Sequence, residues 1–509
     1  MELHIIIIPL IFLLLTIFLK KPKSQAKQPL PGPWNLPVIG GLHHLLGQQP
    51  PHQTIHCLSA IHGPIMSLKL GEIRAVVVSS SVVAKEIMKT HDTIFATRPI
   101  NSSINAICYG GKDIAFAPYG DFWRQMRRLC LLELFSVKRV RSFRHIRKDE
   151  ISNLIKFIAA SAAEGATVNL SGLFLQLSNS ITARASVGGK TADQKLFQAA
   201  LGEVVELISG FCVVDLFPSM PFISHITGFQ RKLQQCQLKL DHINKEIIEE
   251  HRKKRKKQLV EEEDITDVLL RIQEDGSLQF PITDDHIKAI INDLLVGGTE
   301  TTATAIEWAM SELIRNPSVM RRAQREVRHQ FGRPMATLIA EEDVMSSGRL
   351  PYLHLVIKET LRMHPPIPLL LPRENQESCE VMGYEISAKT TVMVNAWAIG
   401  RRDPDNWDEP NVFRPERFEE SGVDFKGGHM DFIPFGAGRR ICPGMQFGLA
   451  TIEMALAHLL YYFDWEHLGE EGEGLLDMSE AFGISAKRKF PLCLLPICRN
   501  PLPPGADLF

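Results

Sequence analysis

The chain has almost no net charge, and it lacks the motifs of several protein classes. Its 57 Lys and Arg residues nearly balance 58 Asp and Glu residues, for a formal net charge of −1, so its charge gives no case for nucleic-acid binding. Nine cysteines are scattered from Cys57 to Cys498 without a Cys-x-x-Cys pair, which argues against a disulfide framework and a zinc site. The sequence contains no internal repeat, no long low-complexity segment and no flavin- or dinucleotide-binding motif. An odd, dispersed set of cysteines fits a reducing, cytosol-facing environment.

What the chain does have is enough apolar residues for a large core. Of its 509 residues, 45% are hydrophobic and 23% charged, as in ordinary globular proteins. Alternation in Ile65–Leu70 and the apolar run Ala75–Val78, separated by a turn at Gly71, predict two strands. Helical periodicity is more frequent, with Arg144–Ala163 and Gln230–His251 as examples.

The first twenty residues form an apolar segment. Leu3–Leu19 is apolar except for His4 and Thr16, and its length is at the short end for a membrane span. It is followed at once by Lys20, Lys21, Lys23 and Lys27. Positive residues after a span place the body of the protein on the cytosolic side. A cleaved signal peptide is the alternative, but it would need a basic segment first and a small-residue cleavage site. We therefore predict a membrane anchor in residues 1–20.

A stiff segment follows the anchor. Pro29–Pro37 is rich in proline and glycine, which is typical of a linker. We assign residues 21–40 to a basic and proline-rich hinge, and residues 41–509 to one large domain.

The most informative stretch is the loop around Cys442. Phe435–Gly444 contains three glycines, one proline and one cysteine. Glycine permits turns that a Cβ would forbid and proline fixes φ, so this composition predicts a rigid, irregular loop that presents one sulfur. A helix is predicted from Met445 to Met454, and a thiolate is favoured over a thiol just before a helix N-terminus. Such a thiolate can be a nucleophile, a redox sensor or a metal ligand, and a buried structural cysteine is the alternative.

This ten-residue pattern resembles the haem-binding signature of the cytochrome P450 family, Phe-x-x-Gly-x-Arg-x-Cys-x-Gly. All five fixed positions match, at Phe435, Gly438, Arg440, Cys442 and Gly444. The resemblance implies that the Cys442 thiolate is the axial ligand of the haem iron, where its electron donation favours cleavage of the O–O bond.

A glycine pair interrupts the long predicted helix Ile287–Ile314. Gly297 and Gly298 each cost roughly 1 kcal/mol relative to alanine, and the threonine hydroxyls that follow can bond to freed carbonyls. This predicts a local distortion of a kind frequent at functional sites, with a tolerated kink in a core helix as the alternative. The segment resembles the family's oxygen-activating motif, in which an acid and a threonine deliver protons to dioxygen. The matching residues are Glu300, where many relatives have Asp, and Thr301.

A pair of opposite charges lies on one face of another predicted helix. Glu359 and Arg362 are three residues apart among apolar neighbours, and a surface ion pair contributing less than about 1 kcal/mol is the alternative. With Pro415–Phe418 downstream, the pattern resembles the Glu-x-x-Arg and Pro-Glu-Arg-Phe elements of the family. The resemblance implies a charge-assisted network of Glu359, Arg362 and Arg417 behind the haem, with a role in folding and haem retention rather than catalysis.

Haem carries two propionates that need cationic or N–H partners. Trp123 and Arg127 lie four residues apart on one helix face, and the Trp-Arg-x-x-Arg match points to both. Arg440 matches the family's usual propionate contact, and Arg98 and Arg373 are further candidates. For each of these arginines an ordinary surface position is the alternative.

The resemblance covers almost the whole chain and looks like the plant A-type microsomal members. It implies a mainly α fold with a small β region, the cytochrome P450 fold, with a single N-terminal transmembrane helix. It also implies haem b, a haem-thiolate catalytic domain in residues 41–509, and a location at the endoplasmic reticulum membrane facing the cytosol. Electrons would come from NADPH through a separate NADPH–cytochrome P450 reductase, and O2 would be the oxidant.

The activity implied is that of a monooxygenase, which inserts one oxygen atom into an unreactive C–H bond and reduces the other to water. A haem-thiolate isomerase or dehydratase on the same fold is one alternative, and a non-enzymatic haem sensor or carrier is another. Neither alternative needs proton delivery by Glu300 and Thr301.

Positions that match the substrate-contact regions of the family are mostly aliphatic. They are Ile107, Ile114, Phe116, Leu295, Val296, Gly297, Ile367, Leu369, Leu370, Leu371, Phe482 and Ile484. Core positions are the alternative for several of them. Each buried CH₂ contributes about 0.8 kcal/mol, so an aliphatic lining favours a bulky hydrocarbon oriented by shape and one or two hydrogen bonds. We expect a small hydrophobic plant specialised metabolite, a sesquiterpenoid or diterpenoid, with an aromatic metabolite (an oxime, indole or phenolic) as the alternative.

Overall fold

The computed structural model describes residues 29–189, 200, 202–204, 207, 212–258, 262–332, 338–345, 348–402, 407–468, 476–481 and 483–502. The predicted anchor (residues 1–20), residues 21–28 of the predicted hinge and Phe482 lie outside the described residues. Within the described ranges, no helix combines the length and the apolar character needed to cross a membrane.

The strands of the described residues form three small sheets. Their bounds are β1 Ile65–Leu70, β2 Ile73–Val78, β3 Val168–Asn169, β4 Arg373–Glu374, β5 Cys379–Val381, β6 Tyr384–Ile386, β7 Thr391–Val394, β8 Phe463–Glu466 and β9 Cys493–Cys498. The largest sheet has the order β1-β2-β7-β4, in which β1 and β2 are antiparallel and β2 and β7 parallel. Val78 therefore lies beside Val394, and the sheet joins distant parts of the chain. The second sheet has the order β3-β9-β8, and β5 pairs with β6.

Helices make up most of the described structure. Their bounds are α1 Pro51–His62, α2 Ser81–Lys85, α3 Ser102–Ile107, α4 Asp121–Leu129, α5 Val137–Ser142, α6 Arg144–Ala163, α7 Leu170–Val187, α8 Val213–Leu216, α9 Phe222–Ile226, α10 Phe229–Lys256, α11 Ile265–Asp275, α12 Asp284–Arg315, α13 Pro317–Phe331, α14 Glu341–Met345, α15 Pro351–Met363, α16 Ala396–Arg402 and α17 Met445–Tyr462. Short 3₁₀ segments at Leu42–Leu45, Pro415–Phe418 and Gly438–Arg440, and π turns at Glu86–Thr90 and Cys130–Leu134, complete the helical structure of these ranges.

Helix α12 lies at the centre of the core. Thr283 and His286 cap its N-terminus reciprocally, and Asp284 and Asp285 lie in its first turn, where the helix dipole favours negative charge. Every residue in 302–313 is buried, so this half of the helix is surrounded by protein on all sides. It packs against α7, α15 and α17.

The fold confirms the predicted mainly helical class with a small β region. Strand β1 and helix α6 have the predicted bounds, and Gln230–His251 lies within α10. Strand β2 begins at Ile73 rather than Ala75, because the pairing with β1 continues to the turn, where Leu70 faces Ile73.

Candidate active site

The loop Phe435–Gly444 has the rigid, irregular geometry that its composition predicts. Gly438 has a φ of 68°, in the left-handed region that favours glycine. A Cβ on Gly438 would lie 2.1 Å from the carbonyl oxygen of Met88, so no other residue fits there. The amide of Cys442 donates to the carbonyl of Phe435 at 3.0 Å, and Gly444 is the N-cap of α17. The loop therefore holds one sulfur at the start of a long helix.

Protein groups around Cys442 act on its thiol in opposite directions. Burial has the largest effect and raises the pKa of Cys442, while the N–H groups of Gly444 and Met445 and the charge of Arg127 lower it. The predicted preference for a thiolate at the helix N-terminus is therefore outweighed by burial. A metal ion bound directly to the sulfur deprotonates a thiol outright, so the donor chemistry fits a metal-bound thiolate.

Four arginines converge beside this loop, and all of them are buried: Arg98, Arg127, Arg373 and Arg440. The Arg440 guanidinium donates to the carbonyls of Ala96 at 2.6 Å and Ile114 at 3.2 Å, and it lies 4.1 Å from the ring centre of Trp123. Trp123 donates its indole N–H to the same Ile114 carbonyl at 3.1 Å. The alternative that these arginines are ordinary surface residues is therefore wrong.

The other three arginines are held mainly by backbone carbonyls. The pairs are Arg98 with Leu371 (2.5 Å) and Pro372 (2.8 Å), Arg127 with Ile441, and Arg373 with Ala437 (2.8 Å). Arg373 also forms an ion pair with Asp92 at 3.1 Å. Burial, together with repulsion from Arg373, lowers the pKa of Arg440 to about 9. The cluster thus has an excess of buried positive charge, which a ligand with two carboxylates would stabilise. The residues fit haem b.

The glycine pair lies inside α12, and the local distortion predicted at this pair stays a prediction. Helix α12 continues from Asp284 to Arg315 without interruption. A Cβ on Gly298 would lie 2.9 Å from the Thr182 side chain of α7, whereas one on Gly297 would meet no atom within 4 Å. Gly298 therefore allows the close approach of two helices, and Gly297 leaves open space on its side of α12.

The two threonines after this pair lie in different surroundings. Thr301 is half-buried, and its hydroxyl donates to the carbonyl of Gly297 at 2.6 Å. Thr302 is buried, with its hydroxyl 3.5 Å from the position of a Cβ on Gly448 in α17. Glu300 forms an ion pair with Lys487 at 3.2 Å. Thr301 and Glu300 are therefore the residues with room for a ligand or water.

The structure brings Glu359, Arg362 and Arg417 together. Arg362 donates to both carboxylate oxygens of Glu359 at 2.7 and 2.8 Å, and Arg417 donates to one of them at 2.9 Å. The side chains of Glu359 and Arg362 are fully buried. The alternative of a surface ion pair is wrong, because the two guanidiniums share one buried carboxylate.

A cavity of about 590 Å³ contains some of the predicted substrate contacts. Among the predicted positions it is lined by Phe116, Ile367, Leu369, Leu370, Leu371 and Ile484. The other described positions, Ile107, Ile114, Leu295, Val296 and Gly297, do not line it. Ile107, Ile114 and Leu295 are buried in the core instead. The sequence could not indicate this, because the periodicity of apolar residues is the same for a cavity wall and for a packed face.

Sequence reasoning missed Asp293, an acid in an otherwise apolar part of α12. Its carboxylate accepts hydrogen bonds from the backbone N–H groups of Ile114 (2.7 Å) and Ala115 (3.1 Å). Burial and the neighbouring Asp113 raise the pKa of Asp293 well above its usual value. Asp293 therefore holds the loop before Phe116 against α12. The sequence feature that could have identified it is a single acidic residue within an apolar run.

Comparisons with known proteins show the family of the chain. The family model "Cytochrome P450" matches residues 30–491. Desmethyl-deoxy-podophyllotoxin synthase of Sinopodophyllum hexandrum is 49% identical over 492 residues, which cover 96% of this chain and 95% of that protein. The 5-epiaristolochene 1,3-dihydroxylase of Nicotiana tabacum is 47% identical, with 95% of each protein covered. The premnaspirodiene oxygenase of Hyoscyamus muticus is 46% identical, also with 95% of each covered.

The fold is also that of a solved structure. A zebra fish cytochrome P450 with abiraterone has a TM-score of 0.73 and 26% identity, and the match covers 89% of this chain and 100% of that one. Sequence, site and fold thus agree over nearly the whole length, and the chain belongs to the cytochrome P450 family of monooxygenases.

Proposed function

We propose that this protein is a haem-thiolate monooxygenase that hydroxylates a small hydrophobic plant metabolite, a sesquiterpenoid or diterpenoid. The observation that carries the proposal is the position of the Cys442 loop beside four buried arginines. A single sulfur ligand next to an excess of buried positive charge suits haem b, which has one metal and two carboxylates. When bound, haem supplies the activation of dioxygen.

Each residue of this site has a proposed role toward the haem. Cys442 binds the iron, and Arg440 and Arg127 hold the propionates. Arg98, Arg373 and Trp123 complete the cationic pocket for the propionates. Phe435, Gly438 and Gly444 keep the loop in shape, and Glu359, Arg362 and Arg417 support it from behind.

Proton delivery is assigned to α12. The Thr301 hydroxyl, which donates to the Gly297 carbonyl at 2.6 Å, would hand on the proton, and the Glu300 carboxylate would take up a replacement proton and pass it to Thr301. Lys487, about half of whose side chain is exposed, links Glu300 to solvent. An isomerase or dehydratase would not use this pair, so the pair supports oxygenation over those alternatives.

The aliphatic wall of the cavity supports a hydrocarbon-rich substrate. Two of the relatives are named as a 5-epiaristolochene 1,3-dihydroxylase and a premnaspirodiene oxygenase, and these names support oxygenation of a substrate of this class. We propose NADPH–cytochrome P450 reductase as the electron donor. Exposed basic residues near the Cys442 loop, such as Arg128 and Arg439, are suited to an acidic partner.

We also propose that residues 1–20 anchor the protein in the endoplasmic reticulum membrane, with the hinge of residues 21–40 leading to the catalytic domain. Deleting residues 1–27 should weaken membrane attachment and leave the haem spectrum intact. Loss of haem in the truncated protein would contradict the domain boundary.

The test of activity uses the full chain with reductase, NADPH and O2. Terpenoid hydrocarbons and aromatic amino-acid derivatives are supplied side by side, and products are identified by mass spectrometry. We expect oxygenated terpenoids that require NADPH and O2. Turnover of only the aromatic set would contradict the substrate class, and a product formed without NADPH would contradict the monooxygenase.

A further inference from the structure

A polar cluster that the proposed chemistry does not use lies behind the cavity wall and reaches the cavity through His52. We call it the Glu480 cluster, and it consists of His52, Glu312, His364, Arg401 and Glu480. Its members come from α1, α12, the end of α15, α16 and the segment 476–488. Burying so many ionisable groups is unfavourable unless they stabilise one another.

Glu480 is the centre of this cluster. Its carboxylate lies 2.6 Å from His52 Nε2 and accepts a hydrogen bond from Gln53 Nε2 at 3.1 Å. Its other oxygen lies 4.0 Å from His364 Nδ1. Burial raises the pKa of Glu480, but the contact with His52 and the charge of Arg401 outweigh burial and hold the pKa below its usual value.

His364 extends the cluster to α12. Its Nε2 donates to the Glu312 carboxylate at 2.7 Å. Its ring stacks on Trp308 with 4.0 Å between ring centres and 4° between planes. Trp308 in turn donates to the carbonyl of Ala486 at 2.6 Å, so α12 is bound to the C-terminal segment from two directions.

Glu480 lies behind the cavity and contacts one of its walls directly, through His52. His52 lines the cavity from α1, and Ile367 lines it from the segment after His364. The third wall is Gly483–Ile484, which lies in sequence between Glu480 and Arg488, two residues that form a bridge. The same segment is fixed by the Ala486 amide, which donates to the Pro366 carbonyl at 2.9 Å.

We propose that Glu480 is a positioning residue that fixes the C-terminal wall of the cavity against α1 and α12, and so determines how a bulky hydrophobic substrate is oriented. This inference rests on the proposed function. Without the carboxylate, His52 and Arg401 lose a buried anionic partner, and the segment that carries Ile484 loses its tie to the other two walls.

The experiment compares two haem ligands in the haem-loaded protein. Imidazole is too small to test the wall, whereas clotrimazole binds iron through an azole and fills a large cavity. Dissociation constants are measured from the shift of haem absorbance. For Glu480→Ala we expect about tenfold weaker clotrimazole binding, a change of about 1.4 kcal/mol, with imidazole binding unchanged.

The matched control is Glu341→Ala. Glu341 is as buried as Glu480, at 9% exposed each, and its carboxylate accepts hydrogen bonds from Arg147 at 2.6 Å. Neither carboxylate lines the cavity, but Glu480 contacts the lining residue His52, whereas Arg147 does not line the cavity. We expect this variant to melt at lower temperature with an unchanged ratio of clotrimazole to imidazole affinity.

Two results would overturn the inference. One is a wild-type affinity ratio in Glu480→Ala, and the other is an equal change of the ratio in both variants, which would reflect general loosening. If the alanine variant does not fold, the same affinity ratio is measured for Glu480→Gln, which keeps the size of the side chain and removes its charge. A wild-type protein that binds no haem would contradict the proposed function instead.

Discussion

At the scale of the residue, the feature that distinguishes Cys442 from the other cysteines is the loop that holds it, rather than the pKa of its thiol. Cys130 is buried, and as for Cys442 burial raises the pKa of its thiol while the charge of Arg127 partly offsets this. Cys130 nevertheless lies in a helical segment without such a loop. We predict that Cys442→Ser abolishes the thiolate-type spectrum of the ferrous–CO complex, because a serine oxygen does not replace a thiolate donor. Cys130→Ser is the control and should keep the spectrum. Persistence of the spectrum in Cys442→Ser would contradict the ligand assignment.

Thr301 and Thr302 are neighbours in the chain with different environments, and their variants should differ accordingly. We predict that Thr301→Ala binds haem and substrate but consumes NADPH with accumulation of peroxide, because the hydroxyl proposed to deliver protons is missing. Thr302→Ala removes a hydroxyl that packs toward α17 and should stay coupled. The measurement is the ratio of product to NADPH consumed, and tight coupling in Thr301→Ala would refute the role.

At the scale of the element, α12 contains two glycines with opposite surroundings. Alanine at Gly298 would press on the buried, β-branched Thr182 at 2.9 Å. Overpacking costs about 1–3 kcal/mol and better helix propensity returns about 1 kcal/mol, so we predict a net loss of stability. Alanine at Gly297 meets no atom and should increase stability by up to about 1 kcal/mol. Urea midpoints measure both, and equal effects would contradict the packing assigned to Gly298.

His251 joins α10 to α11 and should make this contact dependent on pH. Its two ring nitrogens lie 2.7 Å from the Ile247 carbonyl and 2.8 Å from the Asp264 carboxylate, both of which only accept. Burial lowers the pKa of His251, but Asp264, Ile247 and the charge of Asp267 together raise it above its usual value. The contact of His251 with Asp264 therefore stabilises the folded protein fully below about pH 6.5. This stabilisation is lost as the pH rises through the higher pKa that His251 has in the folded protein.

The test of His251 compares melting temperatures of the wild type and His251→Gln from pH 6 to pH 9. The gap between the two proteins should be largest at the acidic end and shrink as pH rises. A gap that grows with pH would mean that the folded protein favours the neutral imidazole.

At the scale of the whole molecule, Glu359 joins segments that are far apart in sequence. Arg362 extends the network to the carbonyls of Gly400 (2.5 Å) and Pro410 (2.8 Å), and Arg417 approaches from the other side. We predict that Glu359→Ala loses about 3–5 kcal/mol of stability and most of its haem, because two buried guanidiniums lose their carboxylate. Glu419→Ala, which breaks a half-exposed pair with Arg322, should cost less than about 1 kcal/mol. Haem content and urea midpoints measure both.

The sequence alone was sufficient to predict those parts of the site that lie within one short motif. The Cys442 loop and the helices with strong periodicity, such as α6, needed only local spacing. The excess charge around Arg440 and the tie from Asp293 to Ile114 depend on contacts between distant segments, which no local pattern encodes. The Glu480 cluster was missed for the same reason, since none of its residues forms a motif with another.

The parallel pairing of β2 with β7 has a consequence for how the chain is made. Strand β2 leaves the ribosome early, but its partner Thr391–Val394 follows only after roughly 300 further residues, which take about 15–60 s at 5–20 residues per second. During that time one edge of Val76–Val78, which is buried in the folded protein, has no strand beside it, and unpaired apolar edges invite association with other chains. Slower synthesis of residues 79–390 should therefore increase aggregation of nascent chains.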